Sequence, residues 1–393
     1  MIIMKLHKTK IDDEVYYYFL KSGAKRFMYR YKYYDSLDVR REKKKSSFKT
    51  EKDALKELLE VKSAILSGQS RHIEHSQMTV SQWLDIWYET KKRSWEISTK
   101  RIHSSSISHL KRLIGKRKMN TLSRNTYERE FINKMLDEGF KPLSVKSYHE
   151  TFKTAVNSAV GDEILLKNKF VSIKIENNEE LDNFLAPEEL NVFLDVAEMC
   201  GDITQYTLTL LLTYTGFRKG EAYGLKWKNV DFEKRTLTVE CTRDNQGTRT
   251  PKTKNSYRTI EVDALLVAQL KKYQKWCIEV KMSCGMQLDK VNDHVFITAN
   301  HIDGIYASYI NSFFHKIYRR AKSRGVELKR ISPHGLRHTH ATILIDELVP
   351  PTDVADRLGN TLEMIYRVYA HSFKKIENKT VTAFGNRLMG EAK

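Results

Sequence analysis

Apolar positions change period three times along the chain, and each change marks a different kind of unit. Val15–Leu20, Lys25–Tyr34 and Lys43–Lys49 are short runs rich in aromatic and basic residues. They read as three strands, with Ser22-Gly23 between the first two. Lys52–Leu66 then shows helical spacing at Ala54, Leu55, Leu58, Leu59, Val61 and Ile65, with Thr50-Glu51 as its cap. The polar, aperiodic stretch from Ser67 to Ser76 reads as a linker. From Thr79 to Phe170 the pattern is helical throughout. Val80, Trp83, Leu84 and Trp87 define one helix; Thr99–Leu113, Thr126–Glu138 and Ser144–Gly161 define three more.

A third unit follows the acidic joint Asn177–Asn183. Pro187 opens its first helix with acids behind it. Tyr206–Tyr214 is an apolar helix that breaks at Thr215-Gly216 and resumes through Phe217–Glu221. Arg235–Thr242, Thr248–Lys252 and Tyr257–Val262 read as strands, with Lys252–Ser256 as the hairpin tip between the last two; His294–Thr298 reads as one more. The expected fold is multidomain and mainly α with small β-sheets. A three-stranded sheet plus helix (1–70) and a linker (71–78) lead into a helical domain (79–172). A second linker (173–182), a mixed α+β domain (183–371) and a tail (372–393) follow.

Composition narrows the partner. Lys and Arg total 68 against 49 Asp and Glu, a net charge of +19 spread along the chain. Distributed excess of this kind suggests basic faces on folded domains, and hence a polyanionic partner, nucleic acid first. Four scattered cysteines, Cys200, Cys241, Cys277 and Cys284, have no metal-site spacing and read as reduced thiols. No apolar run approaches the ~20 residues of a membrane span, so the expected location is the cytoplasm, or the nucleoid if the protein binds DNA.

The richest chemistry lies between Pro333 and His371. His334, Arg337 and His338 stand at i, i+3 and i+4, so a helix puts them on one face, with Pro333 at its first turn. An anion at that terminus would meet backbone donors, a guanidinium and an imidazole together. Upstream, Arg218 and Glu221 are spaced i, i+3, so the carboxylate can hold the guanidinium. Tyr366 and Tyr369, three apart, could each present a phenol to the same place.

Four blocks, T-G-F-R-K-G-E at 215–221, P-K-T-K-N-S-Y-R-T-I at 251–260, H-G-L-R-H-T-H-A-T at 334–342 and L-G-N…V-Y-A-H at 358–371, resemble the signature blocks of tyrosine recombinases, the integrase family, in order and spacing. The whole chain resembles the lambda-type layout of arm-binding, core-binding and catalytic domains found in integrases of prophages and conjugative transposons. The resemblance implies a site-specific recombinase that cuts and rejoins double-stranded DNA through a 3′-phosphotyrosyl intermediate and a Holliday junction, without metal, ATP or other cofactor. It implies that Arg218 and Arg337 clamp the scissile phosphate, Lys254 (with Lys252 as competitor) protonates the leaving 5′ oxygen, and Glu221 supports Arg218. Tyr369 is then the nucleophile and His334 the candidate base.

At Asn360 the family usually has His; Asn still donates a hydrogen bond but carries no charge. Implied partners are arm and core DNA sites, a homo-tetramer, an excisionase and a DNA-bending protein, with the tail docked on a neighbouring protomer. A type IB topoisomerase-like activity and a catalytically silent DNA-binding regulator are the alternatives.

Overall fold

In the computed structural model, residues 6–34, 39–66, 77–176, 183–251, 254–300, 302–305 and 308–369 are described. The expected tail at 372–393, the linker core at 71–76 and Lys252 lie outside them, as does the side chain of Lys254. The chain divides into two compact units, Met1–Glu180 and Leu181–Lys393.

The first unit opens with an antiparallel sheet in the order β1 (His7–Lys8), β2 (Val15–Phe19), β3 (Lys25–Tyr34), β4 (Arg40–Phe48). It therefore has four strands where the periodicity predicts three. Two residues carry no alternation, which is why β1 is invisible in the sequence. Helix α1 (Glu51–Leu66) covers one face, and Val15, Tyr29, Ala54, Leu58 and Val61 form the small core. The tyrosines split between roles: Tyr29 is core, while Tyr34 is exposed.

A second hydrophobic core in this unit gathers α2 (Val80–Lys91), α3 (Ile97–Ile114) and α5 (Pro142–Gly161) around Trp83, Leu110, Phe131 and Phe152. The remaining helix, α4, is not uniform. Helical turns at Arg124–Tyr127 and Lys134–Asp137 flank a π-helical stretch at Glu128–Asn133. A capping box forms at the start of α2 between Thr79 and Gln82. Trp83 donates its indole N–H to the Ala155 carbonyl at 2.8 Å, so the largest buried side chain of α2 loses no hydrogen bond on burial.

The second unit packs α6 (Pro187–Cys200), α7 (Ile203–Thr215), α9 (Ala264–Ser283) and α10 (Tyr309–Ser323) into one core with Phe193, Leu211, Tyr273 and Phe313. Between α7 and α9 lie α8 (Lys219–Gly224) and a three-stranded sheet, β5 (Val230–Asp231), β6 (Thr236–Val239) and β9 (Arg258–Glu261).

Here the structure departs from the sequence reading. Among the described residues, Thr248 and Arg249 do not pair with Tyr257–Val262. β6 pairs with β9, and a separate hairpin, β7 (Thr242–Asp244) with β8 (Gly247–Arg249), is inserted between them. Lys254 accordingly sits in a 3-10 turn, Lys254–Ser256, that leads into β9. Among the described residues, the predicted strand at His294–Thr298 is replaced by isolated bridge positions at its two ends, and the one at His294 joins Lys226. The run is buried but its backbone partners are loops and a side chain: Val295 N–H bonds Leu225, and Ile297 N–H bonds the Tyr273 hydroxyl. Buried apolar residues with no adjacent strand look the same in sequence as a buried strand.

The unit closes with α11 (Pro333–Asp346), α12 (Pro351–Leu358) and α13 (Leu362–Val368), which share a separate apolar cluster containing Ala341, Ile345, Leu358, Ile365 and Tyr369. Among the described residues, no helix is long and apolar enough to cross a membrane.

Candidate functional site

The site is built on two glycine corners. α7 ends at Gly216, in the left-handed region at φ 63°, and α12 ends at Gly359, also at φ 63°. Glycine takes this conformation without the Cβ penalty. Space also demands it. A Cβ on Gly216 would stand 2.5 Å from Leu358 Cδ2, and one on Gly359 would stand 2.7 Å from the Asn255 carbonyl oxygen. The two corners and the Lys254 turn are therefore pressed together.

After Gly216 the chain is extended, and Arg218 becomes the N-cap of α8 instead of lying within a resumed helix. Glu221, at the third helical position, accepts the Arg218 backbone N–H at 3.0 Å and the Arg218 guanidinium at 2.7 Å. The Glu221 carboxylate is only 4% exposed. The oxygen that accepts the Arg218 backbone N–H, Oε2, also accepts from Arg258 Nη2 at 2.8 Å. Burial works to raise its pKa, but the hydrogen bond from Arg258 and the charges of Arg258 and Arg218 outweigh it and hold the carboxyl below its ordinary value.

Arg337 projects from α11 and is 3% exposed. Its guanidinium donates to the Gly216 carbonyl at 2.8 Å and to the Leu358 carbonyl at 2.7 Å. Arg218 donates to the next two residues, to the Gly359 carbonyl at 3.3 Å and to Asn360 Oδ1 at 2.6 Å. The two arginines thus grip three consecutive residues of one corner. Only the Asn360 carbonyl oxygen can accept from a guanidinium, so its NH₂ is turned away from Arg218.

Two further arginines complete the frame, and neither stands out in the sequence. Arg258 donates to Glu221, to the Arg357 carbonyl at 2.7 Å and to the Ser256 carbonyl at 3.1 Å. It lies over the Phe217 ring, 5.0 Å from the centroid. Arg357 donates to His340 Nε2 at 3.0 Å, while His340 Nδ1 meets the Thr213 carbonyl at 2.9 Å. His340 is therefore neutral, with Nδ1 carrying the proton, and burial followed by the Arg357 charge pushes its pKa down to about 3. The one local mark of Arg258 is its place two residues past the Lys254–Ser256 turn, at the first position of β9.

The imidazoles of α11 divide their tasks. His334 is pushed down to about 4 by burial, then by His338, Arg337 and Arg218, so it is a neutral ring at physiological pH. It meets His338 edge to face, with ring centroids 4.8 Å apart. The ring hydrogen-bonded to the Tyr369 hydroxyl is His338, at 3.1 Å from Nδ1. His334, the candidate base in the sequence, touches His338 instead.

The two tyrosines separate clearly. Tyr366 is 50% exposed on α13, whereas Tyr369 caps the helix and is 3% exposed. Burial pushes the Tyr369 phenol up to about 12, with Arg337 pulling the other way. Chemically, the site gathers Arg218, Arg258 and Arg337 near the Glu221 carboxylate. Such an excess suits an oxyanion, with fixed guanidinium forks to bind it and a phenol within the same shell.

Residues 183–375 match the Phage integrase family, and residues 15–65 match the Arm DNA-binding domain. The chain is 30% identical over 274 residues to a protein named tyrosine recombinase XerC-like from Caldanaerobacter subterraneus subsp. tengcongensis, covering 64% of this chain and 68% of that one. The fold resembles that of the Tn1549 transposon integrase solved in complex with transposon right end DNA. The TM-score is 0.66 at 20% identity, covering 77% of this chain and 99% of that one. It also resembles lambda integrase, as a dimer bound to a core site (TM-score 0.58, 16% identity, 92% of this chain and 95% of that one) and as a tetramer bound to a Holliday junction (0.54, 17%, 90% and 97%).

Proposed function

The chain belongs to the tyrosine recombinase family, whose members are site-specific DNA recombinases, and we propose that it integrates and excises a mobile element by cutting and rejoining DNA through a phosphotyrosine at Tyr369. The observation that carries this reading is the shared grip of Arg218 and Arg337 on Leu358, Gly359 and Asn360, with Tyr369 at the end of the helix that follows.

Attack by a phenol on a phosphodiester gathers negative charge on the non-bridging oxygens. Arg218 and Arg337 bind those oxygens, and their rotamers are already set by Glu221, Gly216 and Leu358, so little reorganisation is needed at the moment of reaction. The Asn360 NH₂ and the neutral His334 add uncharged donors to the same oxygens. Tyr369 becomes joined to the 3′ phosphate, and Lys254 delivers a proton to the departing 5′ oxygen. The phosphotyrosine keeps the energy of the broken bond, so the partner strand's 5′ hydroxyl reverses the step without an external energy source. Repetition on the second strand passes through a Holliday junction.

In this reading four copies act together on DNA. The sheet-and-helix domain of residues 1–70 binds arm sites, and the helical domain of residues 79–172 binds the core. Residues 372–393 dock on a neighbouring protomer, an excisionase and a DNA-bending protein set direction, and the protein works in the bacterial cytoplasm. A nicked duplex carrying the joined ends of the element that encodes the chain traps the intermediate, because the cut strand's fragment diffuses away. Wild type and Tyr366→Phe should form a covalent adduct and Tyr369→Phe should not. An adduct from Tyr369→Phe would refute the assignment of the nucleophile. DNA binding without any wild-type adduct would favour a silent regulator, and relaxation of plasmids lacking paired sites a topoisomerase.

A further inference from the structure

A tyrosine with its pKa raised by burial is a neutral phenol at physiological pH, and a neutral phenol is a weak nucleophile. It must lose its proton as it attacks. Two arginines polarise the phosphate, but a guanidinium has no lone pair with which to accept that proton. The acceptor has to be another group within about 2.6–3.2 Å of the hydroxyl.

Resting on the assignment of Tyr369 as nucleophile, we propose that His338 is its general base, taking the phenolic proton on Nδ1 during cleavage and returning it during rejoining. Three observations support this. The Nδ1–hydroxyl distance is 3.1 Å. His338 projects from the same rigid helix as Arg337, one residue further on, so the base and the phosphate clamp move as one body. The Tyr369 ring is wedged among Ala341, Ile345, Leu358 and Ile365, which leaves little freedom to leave the imidazole.

His334 sits edge to face on His338 and not on the phenol. It is one helical turn nearer the N-terminus, beside the end where an anion is bound. The pair therefore divides the work, with His334 donating to the phosphate and His338 accepting from the nucleophile.

The step balances without a co-reactant. The Tyr369 oxygen forms the new P–O bond while its proton moves to His338 Nδ1, provided the ring starts as the Nε2–H tautomer. The P–O5′ bond breaks, and the 5′ oxygen takes its own proton from the Lys254 side. The imidazolium that appears is offset by negative charge growing on the phosphate. In rejoining, the 5′ hydroxyl attacks and returns its proton to Lys254, the Tyr369–phosphorus bond breaks, and His338 hands its proton back to the departing phenolate oxygen.

The test compares full-length wild type, His338→Ala and His338→Asn on the nicked duplex, scoring adduct formation by single-turnover kinetics. Asn keeps an acceptor where Nδ1 stands but cannot take up a proton at neutral pH. Loss of a general base costs about 10²–10⁴-fold, and His338→Ala should fall in that range with DNA binding unchanged. His338→Asn should remain at least ~10-fold slow, and added imidazole should accelerate His338→Ala. A second substrate carries a bridging 5′ sulfur, whose thiolate departs without a proton. It should leave His338→Ala slow, because the missing function is on the attacking side.

Wild-type rates in His338→Asn would reduce His338 to a holder of the ring and overturn the proposal. So would recovery of His338→Ala on the sulfur substrate. Should His338→Ala fail to fold, His338→Asn on both substrates decides the question, since recovery of its rate on the sulfur substrate would likewise overturn the proposal. Tyr369→Phe runs alongside: an adduct there sinks the nucleophile assignment itself, whereas a silent Tyr369→Phe beside a fast His338→Asn sinks only the role of His338.

Discussion

Arg258 and Glu221 form an ion pair at 2.8 Å whose side chains are 7% and 4% exposed. The pair lies behind Arg218, one of the two arginines proposed to bind the phosphate. One end of Glu221 holds Arg218, and the remaining donors of Arg258 hold the Lys254 turn through Ser256 and the end of α12 through Arg357. Three blocks far apart in sequence are thus tied through one guanidinium. Removing one partner of a buried pair leaves the other charge uncompensated, at a cost of about 3–5 kcal/mol. Glu221 keeps Arg218, which puts Arg258→Ala near the low end, about 3 kcal/mol. Thermal unfolding should show a correspondingly lower Tm. Arg258→Lys should also lose most adduct formation, since a single ammonium cannot reproduce three divergent donors. Full activity in Arg258→Lys would show that these tethers do not position the site.

Gly359→Ala tests the crowding of the corner. The new Cβ would have to sit at positive φ, 2.7 Å from the Asn255 carbonyl oxygen and 2.8 Å from Arg258 Nη1. Strain of this kind costs about 1–3 kcal/mol. The corner should shift, carrying Asn360 and the Lys254 turn with it. We expect DNA binding within about twofold of wild type, because most phosphate contacts lie elsewhere on a molecule of net charge +19. The cleavage rate should drop about 100-fold, the price of ~1 Å of misplacement. Equal losses in binding and cleavage would point instead to unfolding.

Much of this site is legible in the sequence, and the parts that are not share a cause. His334, Arg337 and His338 share a face because helical spacing within five residues is a local property. The Arg218–Glu221 pair is local in the same sense, though the sequence places it inside a helix and the structure at a cap. What the pattern does not reveal is which imidazole reaches Tyr369, since that depends on how α13 packs on α11. Arg258 was hidden for the same reason: its partners Glu221 and Arg357 lie 37 and 99 residues away. The inserted β7–β8 hairpin misled the strand pairing because three short runs in a row fit a meander equally well. Long-range register is set by packing on the core, which a local pattern does not encode.

Acid should destabilise this protein in a defined window. His294 and His334 are held near about 4 and His340 near about 3, in each case by burial first and then by neighbouring cations. The unfolded chain binds a proton at each near pH 6.5, whereas the folded one does not. Their depressed values therefore contribute stability that is complete above pH 6.5 and is lost as pH falls from there towards 4. Each adds a slope of up to about 1.4 kcal/mol per pH unit. Glu221, also depressed, adds a loss only below its unfolded value, near pH 4. Chemical denaturation across this range should show the steep fall beginning below pH 6.5. His340→Gln, which keeps an acceptor for Arg357, should flatten it by about one proton's worth. A midpoint independent of pH from 7 to 4.5 would contradict the buried, neutral state of these rings.

Asn360 gives the sharpest test of how charge near the phosphate sets the rate. Its carbonyl oxygen steadies Arg218 at 2.6 Å, so Asn360→Ala removes both a brace for the clamp and a donor to the phosphate. Loss of one oriented donor costs about 10²–10³ in rate, and Asn360→Ala should fall at the lower end because Glu221 still holds Arg218. Asn360→His replaces a neutral donor with one able to carry charge. A hydrogen bond to a charged group exceeds a neutral one by about 1 kcal/mol, or roughly fivefold in rate. Adduct formation by Asn360→His should therefore be about fivefold faster than wild type. Asn360→Asp should be slower than Asn360→Ala, since a carboxylate both repels the phosphate and draws Arg218 onto itself. If all three variants cleave at the wild-type rate, residue 360 lies outside the reacting shell, and the grip of Arg218 upon it is structural alone.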